Sequence, residues 1–176
     1  MEKTAKIQAS FNFEMSHKLT TSYSKECEEN IHGHSYQADV CIKSTINSAT
    51  GVIIDFKLLK EKLGQELFES FDHALILNKE EDKLIKAVKP YVNKLIVTNF
   101  NTTAENLVHF LASKIYFIMK MDTELLRDLS FEVSVKLWEG RKNWAEVNFT
   151  RVDYLDGQCA DMEVCFDIGE LNKNEN

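Results

Sequence analysis

The stretch CEENIHGHSY, Cys27 to Tyr36, sets two histidines one residue apart with a cysteine five positions upstream. Side chains two apart in a strand leave the same face about 7 Å apart at the backbone, so His32 and His34 could converge on one ion. A third histidine, His17, closes a run whose odd positions read Ile7, Ala9, Phe11, Phe13, Met15, His17 and whose even positions are polar. If the two stretches pair as an antiparallel hairpin, the end of the first meets the start of the second, and all three imidazoles share one place. Three neutral imidazoles with a vacant fourth position are the donor set of a catalytic zinc; structural zinc sites are usually closed by four protein ligands. Such a metal can hold a substrate oxygen and acidify a neighbouring proton. Taken alone, the His-Gly-His pair reads more readily as two imidazoles near the surface, and the third histidine reverses that reading. A cupin barrel, with HGHSYQAD supplying two histidines and an acid, is the competing metal site, but it expects an all-β chain and a helix over 103 to 121 argues against it.

Other residues are candidates for proton chemistry. Cys27 lies among Lys25, Glu26, Glu28 and Glu29, poor company for a buried structural thiol, whereas Cys41 fits that ordinary role. A nearby dication would favour the Cys27 thiolate and make it a base, a nucleophile or a displaceable fourth ligand, with the glutamates opposing. Asp72 beside His73 can orient the imidazole and tune its basicity, although a helix C-terminus that merely gains from a cation explains the pair as well. Glu139 falls on the apolar face of Phe131, Val133, Val135 and Leu137, and a buried carboxylate needs partners such as a bidentate, guanidinium-like ligand edge. Glu105 has a structural explanation in a capping box with Thr102, and His109 falls on the solvent side of its helix.

The elements that must position these groups follow from periodicity. Strands are expected over 7 to 17 and 32 to 43, joined by a connection much longer than a hairpin loop, which marks a functional loop. A helix follows from Phe56 with Asp55 as N-cap, weakened at Gly64, then a short helix around Leu84 to Val88 that Pro90 ends. The helix at 103 to 121 precedes a strand from Phe131 to Glu139 and its hairpin partner through Ala145, Val147 and Phe149. LIVTNF is too short to assign, and the residues after Asp156 read as a polar tail. The order strand, strand, helix, helix, strand, strand predicts an α+β fold, an antiparallel sheet with helices on one face. At 176 residues and 44% hydrophobic content, one domain is expected. The net charge of -7 speaks against a nucleic-acid surface, and no run of about 18 apolar residues calls for a membrane. Four cysteines without a CxxC pair indicate reduced thiols and a soluble, cytoplasmic protein.

The ordered series FNFEMSHKL, C(x4)HGHSY, GVIIDF, FDHALILN, NTTAENLVHFL and LWEGRKNWAEV resembles the 6-pyruvoyltetrahydropterin synthase family over residues 7 to 152, and within it the bacterial 6-carboxytetrahydropterin synthases. The resemblance implies a T-fold (ββααββ) whose trimers close a β-barrel and stack into a homohexamer with active sites between subunits. It implies zinc on His17, His32 and His34, Cys27 as general base, and Asp72 with His73 as proton relay. Glu139 would anchor the amino-pyrimidine edge of a pterin, with Thr103 and Glu105 lining the same pocket. The implied substrate is 7,8-dihydroneopterin triphosphate: zinc holds its side-chain hydroxyls, Cys27 shuttles a proton and triphosphate leaves. In the carboxy branch a retro-aldol cleavage then releases acetaldehyde and leaves 6-carboxytetrahydropterin, on the way to 7-deazaguanine and queuosine; the pyruvoyl branch stops earlier. Three departures stand out: four residues separate Cys27 from His32 where the family commonly has three or five, Gly140 follows Glu139 in place of threonine, and NTTAEN replaces NPTAEN. Readings outside this branch are a pyruvoyl-type enzyme, a T-fold protein that binds pterin or purine without catalysis, and a metal-assisted hydrolase using the same histidines.

Overall fold

A computed structural model of the chain describes residues 2–122, 130–155 and 164–168. Strand β1 (Thr4–His17) pairs antiparallel with β2 (His32–Thr45) along their whole length, from Thr4 opposite Thr45 to His17 opposite His32. The period-two pattern sorts the faces. Ala9, Phe13, Met15 and His17 of β1 and Tyr36, Ala38, Val40 and Ile42 of β2 are buried, while Gln8, Ser10, Asn12 and Glu14 stay outside. The long connection between the strands carries a five-residue helix, α1 (Lys25–Glu29), tied down where the Leu19 N–H donates to the Cys27 carbonyl at 3.1 Å.

Helix α2 (Phe56–Leu63) starts as expected: the Asp55 carboxylate accepts from the backbone N–H of Lys57 at 2.7 Å and of Leu58 at 3.2 Å. At Gly64 the helix widens into a π-helical turn (Gly64–Phe68) before a last α-turn, α3 (Glu69–Phe71). Gly64 itself keeps right-handed helical angles and has open space where a Cβ would stand, and the turn delivers Phe68 onto Phe11 with ring centroids 4.2 Å apart.

Three strands enlarge the ββααββ frame. β3 (Ala74–Asn78) is buried throughout and lies parallel to β1, pairing Met15 with Ala74 and His17 with Ile76. Helix α4 (Asp82–Val88) covers one side of it, where Leu84, Ile85 and Val88 pack on Leu75, Leu77 and Leu95. After a 3₁₀ turn over Lys89–Tyr91 that contains Pro90, β4 (Lys94–Thr98) pairs parallel to β3. Covered on both faces, these two strands read as short continuous apolar runs with no alternation to betray them.

Helix α5 (Ala104–Met121) ends where its periodicity predicts, but its N-cap is Thr103, whose hydroxyl accepts from Asn106 N–H at 3.4 Å. The expected capping box of Thr102 and Glu105 does not form, because Thr102 is buried and engaged elsewhere: its hydroxyl donates to the Lys18 carbonyl at 3.1 Å. β5 (Glu132–Glu139) pairs antiparallel with β2 and with β6 (Asn143–Phe149), and α5 packs across both through residues such as Leu111, Ile115 and Tyr116. A short helix, α6 (Arg151–Leu155), precedes β7 (Val164–Ile168), which pairs antiparallel with β4. The segment after Asp156 is therefore not wholly a polar tail; Cys159 lies outside the described residues. The sheet runs β6-β5-β2-β1-β3-β4-β7. Among the described residues no helix is long and apolar enough to cross a membrane.

Candidate active site

The hairpin register brings His17 directly opposite His32, and the period of β2 adds His34 on the same face. Ring centroids stand 4.5 Å apart for His17 and His32, 5.2 Å for His17 and His34, and 5.0 Å for His32 and His34. One nitrogen from each ring lies within 4.8 Å of the other two.

Hydrogen bonding decides which nitrogens are available. The His17 ring is 1% exposed, and its Nδ1 lies 2.8 Å from the Thr102 carbonyl. A carbonyl only accepts, so Nδ1 carries the proton and donates, and Nε2 presents its lone pair. That Nε2 is buried without a hydrogen-bond partner, a cost that proteins rarely leave unmet unless something else binds there. His32 repeats the arrangement with Nδ1 3.1 Å from the Asn30 carbonyl. Burial holds the His17 pKa below its usual value; the Thr102 carbonyl and Glu139 oppose this, and His32 and His34 reinforce it. The ring is therefore kept neutral, the form a metal requires. Orientation by carbonyls and an orphaned inward lone pair fit a metal centre held by His17, His32 and His34.

Glu139 reaches this cluster from β5. Its Cα is paired with Tyr36, the Tyr36 hydroxyl donates to Oε1 at 2.9 Å, and the same oxygen lies 3.7 Å from Nε2 of both His17 and His34. Burial pushes the Tyr36 phenol far above its usual range, with Glu139 adding to the shift, so the hydroxyl stays a donor. Gly140 then turns the chain at φ 69°, a left-handed conformation that threonine adopts poorly, which accounts for the departure at this position.

The remaining candidates lie on other elements. Cys27 is half-buried on α1, and the bond from Leu19 to its carbonyl joins α1 to the chain just beyond His17. Thr103 caps α5 directly after the Thr102 that orients His17, and Glu105 is exposed in the helix's first turn. Asp72 and His73 lie elsewhere. The Asp72 Oδ1 accepts from Glu14 N–H at 3.0 Å and its Oδ2 is 2.9 Å from His73 Nδ1. That backbone bond, with His73 and Lys94 contributing, holds the carboxyl below its usual pKa. His73 takes φ 62° and leaves its side chain 77% exposed, lining a hollow of about 360 Å³ with Glu14, Ser16, Gly33, His34 and Ser35. Glu14, Ser16, Gly33 and Ser35 are outward positions of β1 and β2, so this hollow reaches His34 from the side of the sheet away from the buried His17. Sequence reasoning missed two contributors, Thr102 and Tyr36. The period of HGHSY carries a signal for Tyr36; nothing local announces the Thr102 carbonyl.

Residues 6–149 match the family model described as 6-pyruvoyl tetrahydropterin synthase. The chain belongs to that family. Relatives include the 6-carboxy-5,6,7,8-tetrahydropterin synthase of Rickettsia typhi, 28% identical over 77% of this chain and 94% of that protein. The enzyme of the same description from Haemophilus influenzae is 29% identical over 80% of this chain and 96% of its own. Among solved structures, the 6-pyruvoyl tetrahydropterin synthase of Plasmodium vivax superposes with a TM-score of 0.63 over 85% of this chain and 99% of that one. At 17% identity this likeness shows the shared T-fold. Family membership makes the chain a lyase-type enzyme of the tetrahydropterin synthase kind.

Proposed function

We propose that this tetrahydropterin synthase is a zinc enzyme that converts 7,8-dihydroneopterin triphosphate and one water to 6-carboxy-5,6,7,8-tetrahydropterin, releasing acetaldehyde and triphosphate. The observation that carries the proposal is the cluster of three histidines in which the His17 ring is oriented by a carbonyl and its Nε2 is buried and unpartnered. The carboxy product is favoured by the sequence relatives, which bear that name at 28% and 29% identity.

His17, His32 and His34 would hold the zinc, with Thr102 and Asn30 fixing the tautomers of the first two. When bound, the zinc supplies Lewis-acid polarisation of the substrate's side-chain hydroxyls. Cys27, carried on α1, would take the proton from the carbon next to those hydroxyls. Asp72 would orient His73 through the 2.9 Å contact, and the pair would relay that proton. Glu139, Thr103 and Glu105 would engage the polar groups of the pterin. Because His73 is exposed on the side of the sheet away from the buried His17, Asp72 and His73 would serve the site of a neighbouring copy, in a homohexamer of two stacked trimers. The chain would act as a single cytoplasmic domain with its core over residues 7–155, in 7-deazaguanine and queuosine formation.

The test is incubation of the zinc-loaded protein with dihydroneopterin triphosphate. Stoichiometric acetaldehyde and 6-carboxytetrahydropterin are expected. Triphosphate release with a 6-pyruvoyl product and no acetaldehyde would assign the pyruvoyl reaction instead, and pterin binding without turnover would overturn catalysis altogether.

A further inference from the structure

Tyr36 follows His32 and His34 at the same period-two spacing, so its side chain leaves β2 on their face. The residue is 2% exposed. Its ring stacks on Phe13 with centroids 5.4 Å apart and stands edge-on to His34 at 5.7 Å and to His17 at 6.3 Å. A phenylalanine would fill this volume equally well. The hydroxyl is a polar group taken out of water, and Glu139 Oε1, 2.9 Å away, is what satisfies it.

The same oxygen lies 3.7 Å from Nε2 of His17 and of His34, too far for a hydrogen bond to either ring. It is close to the spacing of two ligands around one tetrahedral zinc, about 3.4 Å for bonds of about 2.1 Å. Oε1 therefore borders the open side of the histidine cluster, where substrate would enter, and a carboxylate there can accept a hydrogen bond from a polar N–H or O–H of the substrate. A glutamate side chain has three rotatable bonds, and left to itself it would sample several orientations.

We propose that Tyr36 is a positioning residue: its hydroxyl pins one oxygen of Glu139 beside His17 and His34, so that the carboxylate meets the substrate in a single orientation. This deepens the function proposed above and rests on its metal centre. Tyr36 acts through Glu139, and the two must be energetically coupled.

The experiment compares the wild type, Tyr36→Phe, Glu139→Ala and the double variant, each loaded with cobalt(II) and followed by visible absorption, alongside steady-state kinetics. Tyr36→Phe is expected to keep one cobalt per chain and the wild-type melting temperature, to shift the cobalt spectrum, and to lower kcat about tenfold with KM unchanged, as loss of an outer-sphere partner does. In the Glu139→Ala background the same substitution should leave the spectrum where it was. A Tyr36→Phe protein with the wild-type spectrum and kcat would overturn the proposal, as would an equal spectral shift with and without the Glu139 carboxylate. Coupling seen in the spectra of a protein that does not turn over the pterin would support Tyr36 and reject the proposed reaction. A wild type that takes up no cobalt would overturn both.

Discussion

His17 is the residue on which the site depends. Its ring is fixed from behind by the Thr102 carbonyl at 2.8 Å and buried ahead, so removing it takes away one donor and the best-oriented one. His17→Ala is expected to fold, because the Lys18 carbonyl still holds the Thr102 hydroxyl, but to retain less than about a tenth of the zinc bound by the wild type. Elemental analysis after dialysis against a weak chelator measures this. Zinc retained at the wild-type level would remove His17 from the metal centre. Only the spacing of His32 and His34 can be read from their own segment, whereas the choice of Nε2 as the inward atom belongs to carbonyls that no motif names. Glu139 is legible in the sequence as a carboxylate on an apolar face wanting partners; in the fold it is half-buried, and the Tyr36 hydroxyl supplies a hydrogen bond.

At the scale of elements, the sheet holds the site through a polar network on its outward face. Asp39 of β2 accepts from Ser10 of β1 at 2.6 Å, from Gln37 at 2.8 Å and from Trp138 Nε1 of β5 at 2.9 Å, so it ties together the three strands that carry His17, His34 and Glu139. Burial works against the Asp39 charge, but these hydrogen bonds and Lys136 outweigh it and set its pKa below the ordinary 3.8. A lowered carboxyl binds fewer protons folded than unfolded near and below pH 3.8, so its contribution is complete above that value and is lost as pH falls through the folded pKa. Asp39→Asn should therefore lower stability at neutral pH, by on the order of 1 kcal/mol, and flatten the loss of melting temperature on acidification. Thermal melts across that range decide it; parallel acid limbs for the two proteins would show that Asp39 does not contribute in this way. The strands of this network were predicted from alternation alone. β3 and β4 were not, since runs of three or four apolar residues carry no period, and β7 falls in a segment that reads as a polar tail; a strand becomes one only when a neighbour offers its edge.

For the whole molecule, the question is which surfaces complete the site. His17 is buried and His73 exposed, and under the proposed function a second copy would complete a site that needs both. Cys27→Ala and His73→Ala should each be inactive alone, yet mixing them under conditions of subunit exchange should restore about a quarter of the wild-type sites, the fraction in which an intact Cys27 from one chain meets an intact His73 from another. No recovery on mixing, with exchange verified, would confine each site to one chain. The α+β frame, its cap at Asp55, the end of α5 and the meeting of three imidazoles were determined by the sequence through local rules, because a strand's alternation, a helix's period and a hairpin's pairing involve near neighbours. The tertiary structure alone decided that Thr102 orients His17 across 85 positions, that Tyr36 meets Glu139 across 103, and that β3 lies parallel beside β1. Contacts over such separations are set by how packed elements lean on one another, and no window along the chain holds both partners at once.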